Sequence, residues 1–211
     1  IPFLDHVETT AKKVGASNTS VAEKGELTGY NTDATGALRA LREGGVELKG
    51  RRIVVLGSGG AARAIAVALV AESGAEKLTL LGIEDAERTR LAQDIRSTTA
   101  VTVEDSYLNE STLRRVLPAA HILIHCTPVG MSPKAEATCV PASLLHPDLA
   151  VMDIVYNPRE TRLLKDAGLA GCKTISGLDM FLNQAVAQFE LWTNQPAQVD
   201  VMRTVLESHF R

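Results

Sequence analysis

The run RRIVVLGSGGAARAIAVAL, residues 51 to 69, joins an apolar block to an alanine-rich one through glycines at 57, 59 and 60. That order of residue types suits the binding of a diphosphate. After a buried strand, Gly57 supplies a tight turn and Gly59 removes the side chain that would block an approaching anion. Ala62 takes the third position of a G-x-G-x-x-A fingerprint. Ala61, Ala62 and Ala64 are small enough for the next helix to pack closely on the strand. The first N–H groups of that helix, at the positive end of its dipole, can then meet phosphate oxygens. Gly57, Ser58, Gly59, Gly60 and Ala61 are therefore the expected phosphate-facing turn of a dinucleotide site. Glycines also end many strands for purely structural reasons, and the placement between RRIVVL and an alanine-rich helix is what makes the pattern specific. A carboxylate roughly twenty residues farther on commonly holds the ribose hydroxyls. Glu84 and Asp85 occupy that stretch. The plainer role for Asp85 is to cap the helix that begins there, and the two roles are compatible. In either case acidic groups at this point repel a 2′-phosphate.

Such a turn works only if the chain around it builds a parallel sheet. Apolar, β-rich runs predict strands at 52 to 57, 77 to 82, 100 to 105, 120 to 126 and 149 to 155. Helical patterns lie between them, and another ends near Gly168. The implied fold class is α/β, a Rossmann-like doubly wound parallel sheet covered on both faces. Residues 1 to 33 are polar and turn-rich, whereas 178 to 210 read as two helices broken around 194 to 196. With 211 residues the chain can bury a substantial core. Its 22 basic and 25 acidic side chains give a formal charge of −3 without a long basic block, so a nucleic-acid partner is not expected. Apolar runs are too short for a membrane span, which leaves a cytoplasmic protein as the expectation. Cys126, Cys139 and Cys172 are scattered and show no CxxC spacing, consistent with a reducing compartment and no zinc site. The five histidines likewise show no metal-ligand spacing.

Several further stretches occur in a fixed order: GASNT (15 to 19), GYNTDATG (29 to 36), GSGGAARA (57 to 64), CTPVGM (126 to 131), DIVYNPRETRLL (153 to 164) and SGLDMFLNQAVAQFELWT (176 to 193). Together they resemble the shikimate dehydrogenase family, including its quinate/shikimate relatives, over essentially the whole chain. The resemblance implies a nicotinamide-dependent oxidoreductase that reversibly reduces 3-dehydroshikimate to shikimate. It implies a remnant of the substrate domain in residues 1–33 and an NAD(P)-binding domain in 34–175. Residues 176–211 would be helices returning to the substrate domain. By motif position, Asn18 and Asp33 would contact the substrate hydroxyls, Gln184 would reach the same pocket, and Tyr156 would lie near the cleft. Gly177 and Met180 would border the nicotinamide, with Thr127 and Pro128 on the loop after the fourth strand. The chemistry agrees: amides of Asn and Gln both donate and accept, as a polyhydroxylated acid requires, and Asp33 can manage a hydroxyl proton during hydride transfer. Each has a duller alternative. Asn18 could be a turn residue, Asp33 could cap a helix starting at Ala34, and Gln184 could be a solvated helix residue. His125 stands where the family commonly carries Asn and reads as a strand-end side chain, with contact to the cofactor as the alternative; Phe189 and Trp192 read as helix-packing residues.

Two departures from the family pattern bear on activity. The family's catalytic lysine sits in a TxPxK motif upstream of GAxNT, and the opening IPFLDHV resembles the segment just after it. Lys12 and Lys13 do not match that place and read as the exposed face of a short helix. The expectation is a fragment with impaired catalysis, since losing an acid/base partner costs about 10²- to 10⁴-fold. A non-catalytic ligand-sensing module of the same fold is the alternative from another class, and the residues before Ile1 would discriminate the two. The second departure is at the end of the second strand, where NADP-using members often read NRT. Here Gly82, Ile83 and Glu84 stand in its place, which favours NAD over NADP unless Arg88 or Arg90 swings round to compensate. Shikimate versus quinate, and monomer versus homodimer, stay open.

Overall fold

The computed structural model describes residues 1–210. The turn-rich opening holds more regular structure than its composition predicts. His6–Val7 (β1), Thr19–Glu23 (β2) and Glu26–Tyr30 (β3) form a small sheet in the order β1-β3-β2. The hairpin between β2 and β3 turns at Lys24 and Gly25, both with positive φ. Thr9–Val14 (α1) lies between the first two strands, buries Ala11 and Val14, and leaves Lys12 and Lys13 exposed as expected. Thr32–Glu43 (α2) follows directly. Its cap is Asn31, whose side-chain oxygen accepts from the Ala34 N–H at 3.2 Å, so Asp33 lies inside the first turn and is not the cap.

The remainder is the predicted doubly wound layer. Arg52–Leu56 (β4), Lys77–Gly82 (β5), Thr102–Tyr107 (β6), Ile122–His125 (β7), Ala150–Asp153 (β8) and Lys173–Ile175 (β9) are all parallel, in the order β6-β5-β4-β7-β8-β9. Renumbered within this sheet, that is the 3-2-1-4-5-6 order of a Rossmann fold, whose strand order reverses beside β4. The helices Gly60–Glu72 (α3), Asp85–Arg96 (α4), Glu110–Val116 (α5) and Arg162–Leu169 (α6) connect the strands. Along β4, Ile53 and Val55 join one buried cluster while Val54 and Leu56 join the other, as a strand covered on both faces requires. The strand expected at 100 to 105 runs two residues later, and the two after it are trimmed at both ends. β9 was not expected: only Ile175 of its three residues is buried, so it has no apolar run to announce it.

Gly177–Thr193 (α7) and Val199–His209 (α8) close the chain. α7 stops at Asn194 in the left-handed conformation (φ 51°), which places the break where Asn194–Pro196 predicts it. α7 lies along α2, and Gly36 permits the approach: a Cβ there would fall 2.8 Å from the Gln184 nitrogen and 2.9 Å from the Met180 carbonyl oxygen. Arg63 on α3 ties the two parts together, donating to the Val14 carbonyl at 2.5 Å and pairing with Asp94 at 2.7 Å. Among the described residues, no helix is long and apolar enough to cross a membrane.

Candidate active site

The glycine turn sits at the strand-order reversal. Gly57 has φ +108°, and a Cβ on it would lie 2.7 Å from the Cys126 carbonyl oxygen, so both its conformation and its neighbour demand glycine. Gly59 caps α3 with no side-chain bond to the helix, and a Cβ at Gly59 or Gly60 would meet nothing within 4 Å. The turn is thus open on the side where an anion would sit, and no side chain competes for the first N–H groups of α3. These residues fit a diphosphate.

At the end of β5, Ile83 is 60% exposed, and Glu84 takes the cap position of α4 without making a capping bond. Asp85 is the first residue of α4 rather than its cap. Its carboxylate pairs with Arg88 at 2.6 Å. Arg88 is buried and committed: it also donates to the Gly82 carbonyl at 3.0 Å and to Asp105 at 3.2 Å. Burial works against the guanidinium charge, but the two carboxylates outweigh it and raise the pKa. A swing of Arg88 toward a 2′-phosphate would give up all three of these bonds, although Asp105 would keep Arg96 at 2.8 Å. Arg90 stays exposed on α4.

A cavity of about 230 Å³ opens beside the turn, lined by Asp33, Ala61, Ile154, Tyr156, Gly177, Met180, Phe181 and Gln184. Four separate segments meet here, α2, the start of α3, the loop after β8 and α7. α7 begins against the loop after β8 because Gly177 has no side chain; a Cβ would lie 2.5 Å from the Val155 carbonyl oxygen. Ser176 caps that helix, accepting from the Leu178 N–H at 3.1 Å. Tyr156 stacks on Phe181 with ring centroids 4.8 Å apart, fixing the loop to α7. Thr127 and Pro128 line a neighbouring cavity of about 360 Å³ that shares Ile154 and Tyr156 with the first.

Asn18 is fixed tightly. Its side-chain oxygen accepts from the Thr32 N–H at 2.9 Å, the Thr19 hydroxyl at 2.9 Å and the Thr32 hydroxyl at 3.2 Å. The same side chain lies beside the Asp33 carboxylate and favours its charged form. Partial burial raises the Asp33 pKa, and the Asn18 bond pulls it back only in part. Gln184 donates to the Phe181 carbonyl at 3.1 Å, and its Oε1 lies 3.5 Å from the Thr32 hydroxyl. Gln188 reaches the same group from one turn on, donating to Thr19 at 3.1 Å.

Of the residues singled out for the substrate pocket or the nicotinamide side, Asp33, Tyr156, Gly177, Met180 and Gln184 line the first cavity and Thr127 and Pro128 its neighbour, while Asn18 lines neither and is bonded to Thr19 and Thr32. Glu84 lies apart at the end of β5, where an adenosine ribose would reach. Thr19, Thr32, Phe181 and Gln188 were missed. The two threonines stand inside GASNT and GYNTDATG, and Phe181 shares a helical face with Gly177 and Gln184, four residues before and three after it. His125 ends its strand as expected, and it is buried there, bonding Asp153 at 2.9 Å and Thr127 at 2.5 Å. Trp192 and Phe189 are not core residues, at 60% and 39% exposed; Trp192 instead donates to the Ser20 carbonyl at 3.1 Å.

The sequence and the fold are similar to those of known proteins. Residues 177–207 match the model of the shikimate 5′-dehydrogenase C-terminal domain. The NADP(+) shikimate dehydrogenase of Methanosarcina barkeri is 46% identical over 200 residues, covering 94% of this chain and 70% of that protein. Shikimate 5-dehydrogenase of Listeria monocytogenes, solved with shikimate and NAD, superposes with a TM-score of 0.91 at 36% identity, over 97% of this chain and 72% of that one. Quinate dehydrogenase of Corynebacterium glutamicum, solved with NAD, gives 0.90 at 35% identity, over 99% and 73%. Identity at that level, sustained over more than two thirds of the relatives' length and matched by the same fold, means that the chain belongs to the shikimate dehydrogenase family.

Proposed function

We propose that this chain is an NAD(P)-dependent oxidoreductase interconverting 3-dehydroshikimate and shikimate. The observation that carries the reading is the meeting of Asp33, Gln184 and Tyr156 with the start of α7 in one crevice beside the open glycine turn, with Asn18 next to Asp33. When bound, the nicotinamide supplies or takes up the hydride at the ring carbon. The chain supplies the rest. Asn18 and Gln184 offer donors and acceptors to ring hydroxyls, and Asp33 holds the proton of the reacting oxygen. Its raised pKa brings the carboxyl nearer to neutrality, which suits a group that must both take and return a proton. Phe181, Met180 and Ile154 keep the hydride path apolar, excluding water from it. The small sheet with α7 and α8 serves as the substrate side and the six-stranded sheet as the cofactor side, with α2 shared between them.

Within this reading NAD is the preferred dinucleotide. Ile83 cannot pair with a 2′-phosphate, Glu84 repels one, and Arg88 is held by Asp85 and Asp105. The Methanosarcina barkeri relative is named for NADP(+), so the preference is a property of these residues and not of the family. Separate titrations with NADH and NADPH test it, and tighter binding of NADPH overturns it. The catalytic assignment is tested by Asp33→Asn. Shikimate oxidation should fall about 10²- to 10⁴-fold while NADH affinity stays unchanged. Undiminished turnover removes Asp33 from the chemistry, and absence of dinucleotide binding by the parent protein defeats the whole reading.

A further inference from the structure

We infer that His125 is a positioning residue: it fixes the Thr127 hydroxyl as a hydrogen-bond donor into the crevice, toward an oxygen of the bound dinucleotide. This rests on the dinucleotide reading above. His125 ends β7 with its ring buried between two strands and a loop. Nδ1 lies 2.9 Å from the Asp153 carboxylate on β8, and Nε2 lies 2.5 Å from the Thr127 hydroxyl. Asp153 is itself held, accepting from the Val155 N–H at 3.0 Å and from the Thr161 hydroxyl at 2.7 Å. Thr161 in turn caps α6. A chain of bonds thus runs from the start of α6 through Asp153 and His125 to Thr127, and the loops it joins, after β7 and after β8, are the two walls of the larger cavity.

The hydrogen inventory gives the chain a direction. With both ring nitrogens protonated, His125 donates to Asp153 and to Thr127. Thr127 Oγ1 also accepts from the Val129 N–H at 3.3 Å. Both lone pairs of the hydroxyl are then engaged, and its one hydrogen can point only away from the ring and the loop, toward the partly exposed side that lines the cavity. A neutral ring, protonated at Nδ1 for Asp153, would reverse this. Nε2 would accept, Thr127 would spend its hydrogen on the ring, and the crevice would lose a donor. The surroundings favour the charged form. Burial alone would lower the His125 pKa, yet the Asp153 carboxylate, with the Cys139 sulfur also facing the ring, holds it up at about 9. The neighbouring Cys126 thiol is kept protonated by burial and adds no charge at neutral pH.

The test is dinucleotide affinity against pH, measured by NADH fluorescence for the parent, His125→Asn, Thr127→Val and the double variant. For the parent, affinity should fall roughly three- to tenfold as pH passes through about 9. His125→Asn and Thr127→Val should each bind that much more weakly at pH 7, show no such step, and lose nothing more when combined. Nitrogen NMR of the parent ring supplies an independent reading, with both nitrogens protonated at pH 7. A ring neutral at pH 7, a step that survives in His125→Asn, or losses that simply add would overturn the inference. Parent protein that binds no dinucleotide at pH 7 defeats the reading beneath it instead.

Discussion

The contact of α2 with α7 is set by one glycine, and replacing it tests whether that contact holds the site together. In Gly36→Ala the new Cβ would lie 2.8 Å from the Gln184 nitrogen, 2.9 Å from the Gln184 Cβ and 2.9 Å from the Met180 oxygen, where ordinary contact begins at 3.4 Å. Two of these three are backbone atoms, so no rotamer change relieves the clash and α7 must retreat by roughly half an ångström. Such overpacking costs about 1–3 kcal/mol. Alanine regains about 1 kcal/mol of helix propensity over glycine, leaving a net loss on the order of 1 kcal/mol. Gly168 on α6 is the natural control, since it is exposed and a Cβ there meets nothing within 4 Å. Gly168→Ala should therefore stabilise by about 0.5–1 kcal/mol. For a chain of this size 1 kcal/mol moves the melting temperature by about 2–4 °C. Calorimetry should find Gly36→Ala melting below the parent and Gly168→Ala above it. The displacement also carries Gln184 and Met180 with it, so Gly36→Ala should weaken shikimate binding while Gly168→Ala leaves it alone. Equal shifts of the same sign in the two variants would mean that backbone proximity at Gly36 is not what limits the approach of the helices.

Two further outcomes follow from charges already described. The native His125 ring keeps its proton up to about 9, whereas an unperturbed histidine loses it near 6.5. Between those values the folded chain holds the extra proton, so stability is complete below the lower one and declines as pH rises toward the upper, by about 3 kcal/mol in all. Urea midpoints at about pH 7 and 8.5 should show the decline before the buried Cys126 thiol enters. The slope should vanish in His125→Asn, and a parent midpoint that does not move would refute the charged ring. Ile83→Arg places a guanidinium at an exposed point at the end of β5. It should raise the NADPH-to-NADH affinity ratio roughly ten- to hundredfold, and an unchanged ratio would mean that the 2′-phosphate is met elsewhere.

What the amino-acid order reveals here depends on how local the signal is. β4, the glycine turn and α3 are consecutive and could be read directly, because a buried strand, a sharp bend and a small-residue helix each leave their own pattern within a few residues. Asn18, Asp33 and Gln184 carry no such pattern. Each has an ordinary local explanation, and only their order among family motifs raised them above it. The structure disposes of one such explanation outright, since Asn31 caps α2 and leaves Asp33 inside the first turn. Arg88 shows the opposite failure. Its place near the ribose end of the site made it look available, but its fate depends on Asp105, a residue on another strand, and only the sheet brings the two together. His125 is the same case with a larger consequence. A lone histidine ending an apolar strand says nothing about Asp153 on the next strand or Thr161 at the start of α6, yet those partners decide its charge and hence the direction of the Thr127 hydroxyl. The short strands β1 and β9 stayed hidden for a related reason. Neither buries enough side chain to show a period, and each exists because a neighbouring strand, β3 or β8, supplies its hydrogen bonds. Pairwise partners from distant segments therefore set the electrostatics of this crevice, and residues whose charge depends on them are where substitution should reveal most about how it works.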